Sequence, residues 1–308
     1  MKIIVTGALG HIGSELVRQA PIFFNRPEVL MIDNLSTQRY CSLFKLPTEG
    51  RYEFIQEDVR KADWDRVLPG ADCLVHLAAI TDAAGTADKP ELVRDNNLGG
   101  TAAVASACLK HGIPMIFPSS TSVYGSQSNL VDETCAELCP QSPYAESKIA
   151  EETLIKNLVA KGLKTCICRF GTIYGKSVGM RFHTAVNKFC WQGVMGQPIT
   201  VWRTAMDQKR PYLALGDACG AITHIIKANL FDGSVYNIVT ENHTVREVVE
   251  TIQSFVPKLT VEYVDHKIMN QLSYEVSVNK FKNTGFEFTG SLKKGIEETV
   301  KLLRNIKL

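Results

Sequence analysis

Tyr144 and Lys148 stand four residues apart in Tyr144-Ala145-Glu146-Ser147-Lys148. On a helix that spacing puts both side chains on one face, one turn apart. A nearby ammonium, together with a cofactor's charge, favours the phenolate over the phenol, moving an ordinary tyrosine pKa of about 10 toward working pH. Such a tyrosine can take a hydroxyl proton while hydride leaves the same carbon. A second set of residues could hold the hydride acceptor. Gly7, Gly10 and Gly13 follow a G-x-x-G-x-x-G spacing directly after the apolar run Lys2–Thr6. The first glycine permits a tight turn, and the second lets backbone approach a pyrophosphate. The third lets helix and strand pack closely. The helix that follows offers unpaired N–H groups and a positive dipole end to phosphates. Asp33 follows Gly13 by 20 residues, where an acid accepts hydrogen bonds from the adenosine ribose. It would repel a 2′-phosphate, so NAD is expected over NADP, with Arg39 nearby in sequence as the counter-argument. Asp58-Val59 is placed to contact adenine, a helix cap being the alternative role for Asp58.

The elements that must position these groups alternate between strand and helix. Strands are expected at Lys2–Thr6, Val29–Asp33, Tyr52–Gln56, Cys73–Leu77, Pro114–Phe117 and Lys164–Phe170. Helices are expected at Ile12–Gln19, Glu91–Lys110 and Tyr144–Lys161. Continuous apolar strands alternating with helices predict an α/β fold, a Rossmann-type doubly wound parallel sheet. The pattern loosens after Gly175. Arg181–Trp191 reads as a helix carrying His183 and Lys188 toward a substrate, and Ile199–Trp202 as a short strand. Trp191 and Trp202 read as core. Helices follow at Asp217–Lys227, at Thr244–Phe255 with a capping box, and at Ser291–Arg304. Residues 1–175 are therefore expected to form the dinucleotide domain, with a segment about 212–240 able to return to it. Residues 176–308 are expected to form a smaller α+β substrate lobe.

Composition excludes several classes. The 308 residues carry 34 Lys and Arg against 32 Asp and Glu, a net charge of +2. That balance gives no reason to expect a nucleic-acid or membrane-surface partner. No apolar run reaches the roughly 18 residues of a membrane span, and the first residues are too short an apolar stretch for a signal peptide. The nine cysteines are an odd number, which argues against a fully paired secreted framework. Cys166 and Cys168 would share one strand face. No Cys and His set completes a zinc site, so no metal is expected, and a reducing cytoplasm fits.

Taken together, the motifs resemble the extended short-chain dehydrogenase/reductases, the NAD-dependent epimerase/dehydratase family. The matching segments are T-G-A-L-G-H-I-G, D-N-L-S, H-L-A-A, N-L-G-G-T at Asn97–Thr101, S-S-T-S-V-Y-G at Ser119–Gly125, S-P-Y-A-E-S-K at Ser142–Lys148 and R-F-G-T-I-Y-G at Arg169–Gly175. Weaker matches are M-R-F at Met180–Phe182, G-Q-P-I at Gly196–Ile199 and R-P-Y-L-A-L-G-D at Arg210–Asp217. The resemblance implies Tyr144 as acid and base, Lys148 on the nicotinamide ribose, and Ser120 bridging to the reacting hydroxyl. His11, Ile12, Asn34, Leu77, Ala78 and Ala79 would lie beside NAD, and Asn97 would support the site. Arg210 would grip a nucleotide diphosphate, a surface ion pair being its alternative. Thr121, Arg181 and His183 would meet the substrate. Asp82 could reach the substrate or cap its loop.

Within that family, 4,6-dehydratases place acids just after the catalytic hydroxyl. Here Thr121 and Ser122 stand there, which argues against dehydration. D-N-L-S resembles the sugar-nucleotide 4-epimerases. The expected function is an NAD-dependent sugar-nucleotide epimerase acting at C4. The alternatives are an NAD-dependent dehydrogenase or keto-reductase, or a non-catalytic NAD-binding regulator. Thr172 departs from an asparagine common in the family, and Gln271–Glu275 lacks the arginine that often gives a second diphosphate contact. Lys267, Lys280 and Lys282 are the candidate substitutes. The resemblance also implies a homodimer pairing Glu91–Lys110 and Tyr144–Lys161.

Overall fold

The computed structural model describes residues 1–82, 85, 88–127, 130–265 and 273–304. Along its first half, strands alternate with helices. The strands are β1 (Lys2–Thr6), β2 (Glu28–Asp33), β3 (Arg51–Gln56), β4 (Cys73–His76), β5 (Met115–Ser120), β6 (Leu130–Val131) and β7 (Thr165–Phe170). The helices are α1 (His11–Phe23), α2 (Trp64–Val67), α3 (Pro90–His111) and α4 (Pro143–Val159). The remaining strands are β8 (Thr172–Tyr174), β9 (Ile199–Trp202), β10 (Lys209–Ala214), β11 (Asp232–Ile238), β12 (Glu241–Thr244), β13 (Val261–Val264) and β14 (Glu275–Val276). The remaining helices are α5 (Ala185–Val194), α6 (Leu215–Lys227), α7 (Val245–Phe255), α8 (Asn279–Lys282) and α9 (Leu292–Leu303).

Among the described residues, the main sheet has seven parallel strands in the order β11-β7-β5-β4-β1-β2-β3. Every residue of β4 and β7 is buried, as expected of a sheet covered on both faces. Leu16 and Val17 of α1 pack one face with Ala218 and Ile222 of α6. Val104 and Cys108 of α3 pack the opposite face with Ile155 and Leu158 of α4. Each large apolar side chain so buried contributes about 1.5–3 kcal/mol. The chain runs outward from β1 through β2 to β3, then crosses to β4 on the other side of β1. A crevice opens at such a reversal, beyond the carboxyl ends of the strands. This is the Rossmann-type arrangement.

A second apolar cluster gathers Cys190, Ile199, Tyr212, Val248 and Ile296 from α5, β9, β10, α7 and α9. The helix expected over Arg181–Trp191 instead starts at Ala185. The cause is Asn187, whose amide accepts from Gly175 N at 3.1 Å and donates to Gly175 O and Arg181 O. Those bonds hold the preceding segment as a loop, so Arg181 and His183 lie before the helix rather than on it. Trp202 is not core but 39% exposed on β9. The capping box at α7 is formed as expected, Thr244 and Glu247 exchanging side-chain-to-backbone bonds. Thr244→Ala should cost about 1 kcal/mol, measured as a lower urea midpoint.

Candidate active site

The carboxyl ends of β1, β2, β4 and β5 open on a cleft of about 480 Å³, within the size range of small-molecule sites. The glycine loop forms one end. Gly7 sits at φ +63°, and a Cβ there would lie 2.6 Å from Leu77 C and Ala78 N. A Cβ on Gly13 would lie 2.5 Å from Gly7 O and 2.7 Å from Ala8 Cα. Backbone blocks both positions, so only glycine lets α1 start this close to β1. Gly13→Ala should push α1 off the loop and weaken NAD binding at least about tenfold, a cost of about 1.4 kcal/mol, read by fluorescence titration. Gly10 caps α1 without a side-chain bond. Gly10, His11, Ile12 and Gly13 all line the cleft.

Asp33 closes this end. Its carboxylate accepts from Leu9 N at 3.1 Å and Leu35 N at 2.9 Å, which aims it along the loop. Asn34 accepts from Ser36 N and lines the cleft. Asp58 accepts from Arg60 N at 2.9 Å and pairs with Arg60 Nη2 at 2.6 Å. Helix α2 is capped by Asp63, so Asp58 is no helix cap. It lines the cleft with Val59, Leu77, Ala78 and Ala79.

The opposite end carries the acid–base candidates. Ser142 caps α4 and Pro143 begins it, which presents Tyr144 in the first turn. The Tyr144 hydroxyl lies beside Ser120, at the end of β5, which favours its ionised form, and Ser122 Oγ donates to Ser120 Oγ at 2.9 Å. Lys148 Nζ lies 5.8 Å from the centre of the Tyr144 ring and 4.6 Å from that of Phe117. It is almost wholly buried and pairs with Glu151 at 3.1 Å. Burial pushes the Tyr144 phenol up, Lys148 pulls it down, and Glu151 opposes Lys148. The balance leaves the phenol above its ordinary value. Lys148 alone therefore does not outweigh burial and Glu151.

Between the two ends, His11, Arg181, His183 and Arg210 line the cleft. Each has one buried nitrogen without a hydrogen-bond partner: His11 Nε2, Arg181 Nε, His183 Nε2 and Arg210 Nε. Burial, then the Arg181 charge, drives His11 down to about 3 and His183 down to about 4. Burial and Arg39 lower Arg181 to about 10, which leaves it charged at neutral pH. The unpartnered Nε–H groups of the Arg181 and Arg210 guanidinium groups suit anionic diphosphates. Together with the glycine loop they fit a pyrophosphate-bearing cofactor.

Other residues fall elsewhere. Asn97 is buried behind the wall rather than lining it. Its amide bonds both Ile80 backbone groups and donates to Ser147 Oγ, tying the loop after β4 to α4. Asn96 lines the cleft instead. Asp82 accepts from Gly85 N at 2.9 Å, as a loop cap does, and is not among the cleft-lining residues. Thr121 lines the cleft, but its hydroxyl donates inward to Phe170 O and accepts from Tyr274. Lys280 donates to Val235 O and rests over the Tyr236 ring. Neither Lys280 nor Lys282 lines the cleft, and Lys267, Gln271 and Leu272 lie outside the described residues.

Arg39, Tyr274 and Thr81 line the cleft without having been singled out as site residues. Thr81 accepts from Arg181 Nη1. No local spacing marks them. Glu151 was hidden too, because a glutamate one turn past Lys148 reads as a solvated helix face.

The chain matches the NAD dependent epimerase/dehydratase family over residues 3–239. It belongs to that family. NAD is the family's cofactor, and the cradle and unpaired donors accommodate it. The chain is 28% identical over 319 residues to an uncharacterized UDP-glucose epimerase, YtcB, of Bacillus subtilis, covering 99% of each. It is also similar to UDP-glucuronic acid 4-epimerase from Bacillus cereus, solved with UDP-glucuronic acid and NAD. That likeness has a TM-score of 0.86 and 26% identity, covering 98% of this chain and 99% of that one. The dTDP-glucose 4,6-dehydratase DesIV of Streptomyces venezuelae shares the fold, with a TM-score of 0.88 and 24% identity over 99% of this chain and 97% of that one. Epimerases and dehydratases thus share this frame, and the fold does not choose between their reactions. Among the described residues, no helix of this epimerase/dehydratase-family protein is long and apolar enough to cross a membrane.

Proposed function

We propose that the protein is an NAD-dependent sugar-nucleotide epimerase acting at C4 through a transient keto-sugar. One observation carries the choice. Among the described residues lining the cleft, the carboxylates are Asp33, Glu57 and Asp58, all at the adenosine end. The end with Tyr144 holds hydroxyls, an ammonium, a guanidinium and an imidazole. Elimination of water needs an acid to protonate the leaving hydroxyl; these three carboxylates lie at the other end, and Asp82, whose charge acts on Arg181 and His183, does not line the cleft.

Tyr144 and Ser120 hold the reacting hydroxyl between them, and Tyr144 takes its proton. Lys148 holds the nicotinamide ribose. Bound NAD supplies the hydride acceptor and then the donor. Arg210 anchors the nucleotide diphosphate while the sugar turns, with Arg181 and His183 along the wall. Tyr144 then returns the proton to the keto oxygen, as hydride comes back to the opposite face of the carbon. Residues 1–175 with the β11 segment form the cofactor unit, and the remainder grips substrate. The assembly in this reading is a homodimer through α3 and α4. The nine free cysteines, six of them buried, favour a cytoplasmic setting. The test is a panel of sugar nucleotides incubated with trace NAD. Epimers of one or more of them are the expected product, and no interconversion of any of them contradicts the reading.

A stoichiometric dehydrogenase is the second reading, favoured by the same Tyr144–Ser120 pair. Consumption of NAD mole for mole with product would support it.

A further inference from the structure

We infer that Glu151 is a positioning residue that sets the proton affinity of Tyr144 by holding and neutralising Lys148. This rests on Tyr144 as the proton-transfer group proposed above, and adds a regulator behind the visible wall. Glu151 is buried and does not line the cleft. Its Oε2 lies 3.1 Å from Lys148 Nζ and accepts from Thr101 Oγ1 at 2.7 Å. Its Oε1 accepts from Ser147 Oγ at 3.3 Å.

The carboxylate also fixes a chain of hydrogen bonds leading away from the site. Thr101 gives its proton to Glu151, so its oxygen must accept from His76 Nε2, 3.2 Å away. His76 Nδ1 is then bare and accepts from Thr6 Oγ1 at 2.8 Å. The Thr6 oxygen accepts from Ala78 N at 3.2 Å, the same backbone nitrogen that a Cβ on Gly7 would strike. Each hydroxyl has one proton, so only one ordering satisfies every member. Burial and Lys148 hold His76 down to about 3, which keeps it neutral, as that ordering requires. The chain runs from the Lys148 pair to the glycine loop through four elements, α4, α3, β4 and β1. A shift of the carboxylate would break it.

The charge consequence follows from the groups facing the pair. On α4 these are Tyr144, Lys148 and Glu152, and Glu152 is itself neutralised by Arg169 of β7. On β4 the group is neutral His76, and across the cleft it is Arg181. Phenol, ammonium and the Glu151 carboxylate sum to zero, and Arg181 adds one positive charge from across the cleft. A buried phenolate is favoured by the positive charge left uncompensated around it. Glu151 cancels the Lys148 charge, whose pull on the Tyr144 proton exceeds that of Arg181, and so makes Tyr144 hold its proton more tightly.

The test is a tyrosinate absorbance titration of the NAD-loaded protein, each variant read against its own Tyr144→Phe background. It needs no substrate and no turnover, so it stands apart from failure of the epimerase reading. Glu151→Gln should lower the Tyr144 pKa by about one unit or more, a tenfold change in proton affinity. The acidic limb of kcat/KM should move down by the same amount. Glu151→Asp keeps the charge at a longer distance, and should shift both less and in the same direction. If the Gln variant does not fold, the Asp shift alone supports the inference. Loss of kcat in either folded variant with an unmoved Tyr144 titration would show a merely structural role and overturn it.

Discussion

Tyr144→Phe is expected to lower turnover by about 10²–10⁴-fold, the usual contribution of a positioned acid–base group. NAD binding should stay nearly unchanged. The substitution removes one oxygen and keeps the ring that packs beside Lys148. The glycine loop, Asp33 and the α1 N-terminus lie at the far end of the cleft and remain intact. The lost hydroxyl is the one beside Ser120, and Ser120 keeps Ser122 as a partner. Single-turnover reduction of NAD, with binding measured in parallel, checks both halves. Undiminished turnover would remove Tyr144 from the chemistry, and lost NAD binding would make its role structural.

Glu152→Ala should destabilise the fold by about 3–5 kcal/mol, the cost of stranding one member of a buried ion pair. Glu152 and Arg169 meet at 2.9 and 2.8 Å, both almost wholly buried. Ser119 donates to the same carboxylate at 2.6 Å, and the Arg169 guanidinium lies 4.9 Å from the Tyr124 ring centre. These contacts join α4 to β5 and β7, directly behind Ser120. Alanine would leave the Arg169 charge with no counterion at that spot. Burial pushes the Glu152 carboxyl up, but Arg169 outweighs it and the carboxyl lies below its ordinary range. The pair's stabilisation is therefore present above the unfolded glutamate pKa of about 4.3. It fades as pH falls from there through the lower folded value. Urea midpoints at neutral pH and at successively more acidic pH measure both effects. The difference between wild type and variant should shrink on acidification.

Local spacing carried much of the fold and the two ends of the site. The glycine loop, Asp33 and the Tyr144–Lys148 pair each lie within one strand-turn-helix unit, so neighbouring residues declare them. The middle of the cleft was less legible, because it is assembled by tertiary bonds. Arg181 and His183 looked helical by period, and only Asn187, bonding back to Gly175, turns that segment into a loop. Thr6 and His76 are 70 residues apart, and Thr101 and Glu151 are 50 apart. No window along the chain contains both ends of either bond. Asn97 and Asp82 were polar residues next to motifs, and both proved to bond backbone nearby, Ile80 and Gly85 respectively, with Asn97 also reaching Ser147 of α4. Tyr274 enters from a segment with no periodic signal and meets Thr121 across 153 residues.

The central claim is a closed hydride cycle at one sugar carbon. Sugar nucleotide deuterated at C4 should be incubated with enzyme and trace NAD, and both epimers analysed by mass spectrometry and proton NMR. The account predicts an epimerised product that keeps deuterium at C4, with no accumulation of reduced cofactor. Reduced cofactor formed mole for mole with a keto product would contradict it, as would deuterium moved from C4 to C6 in a dehydrated sugar.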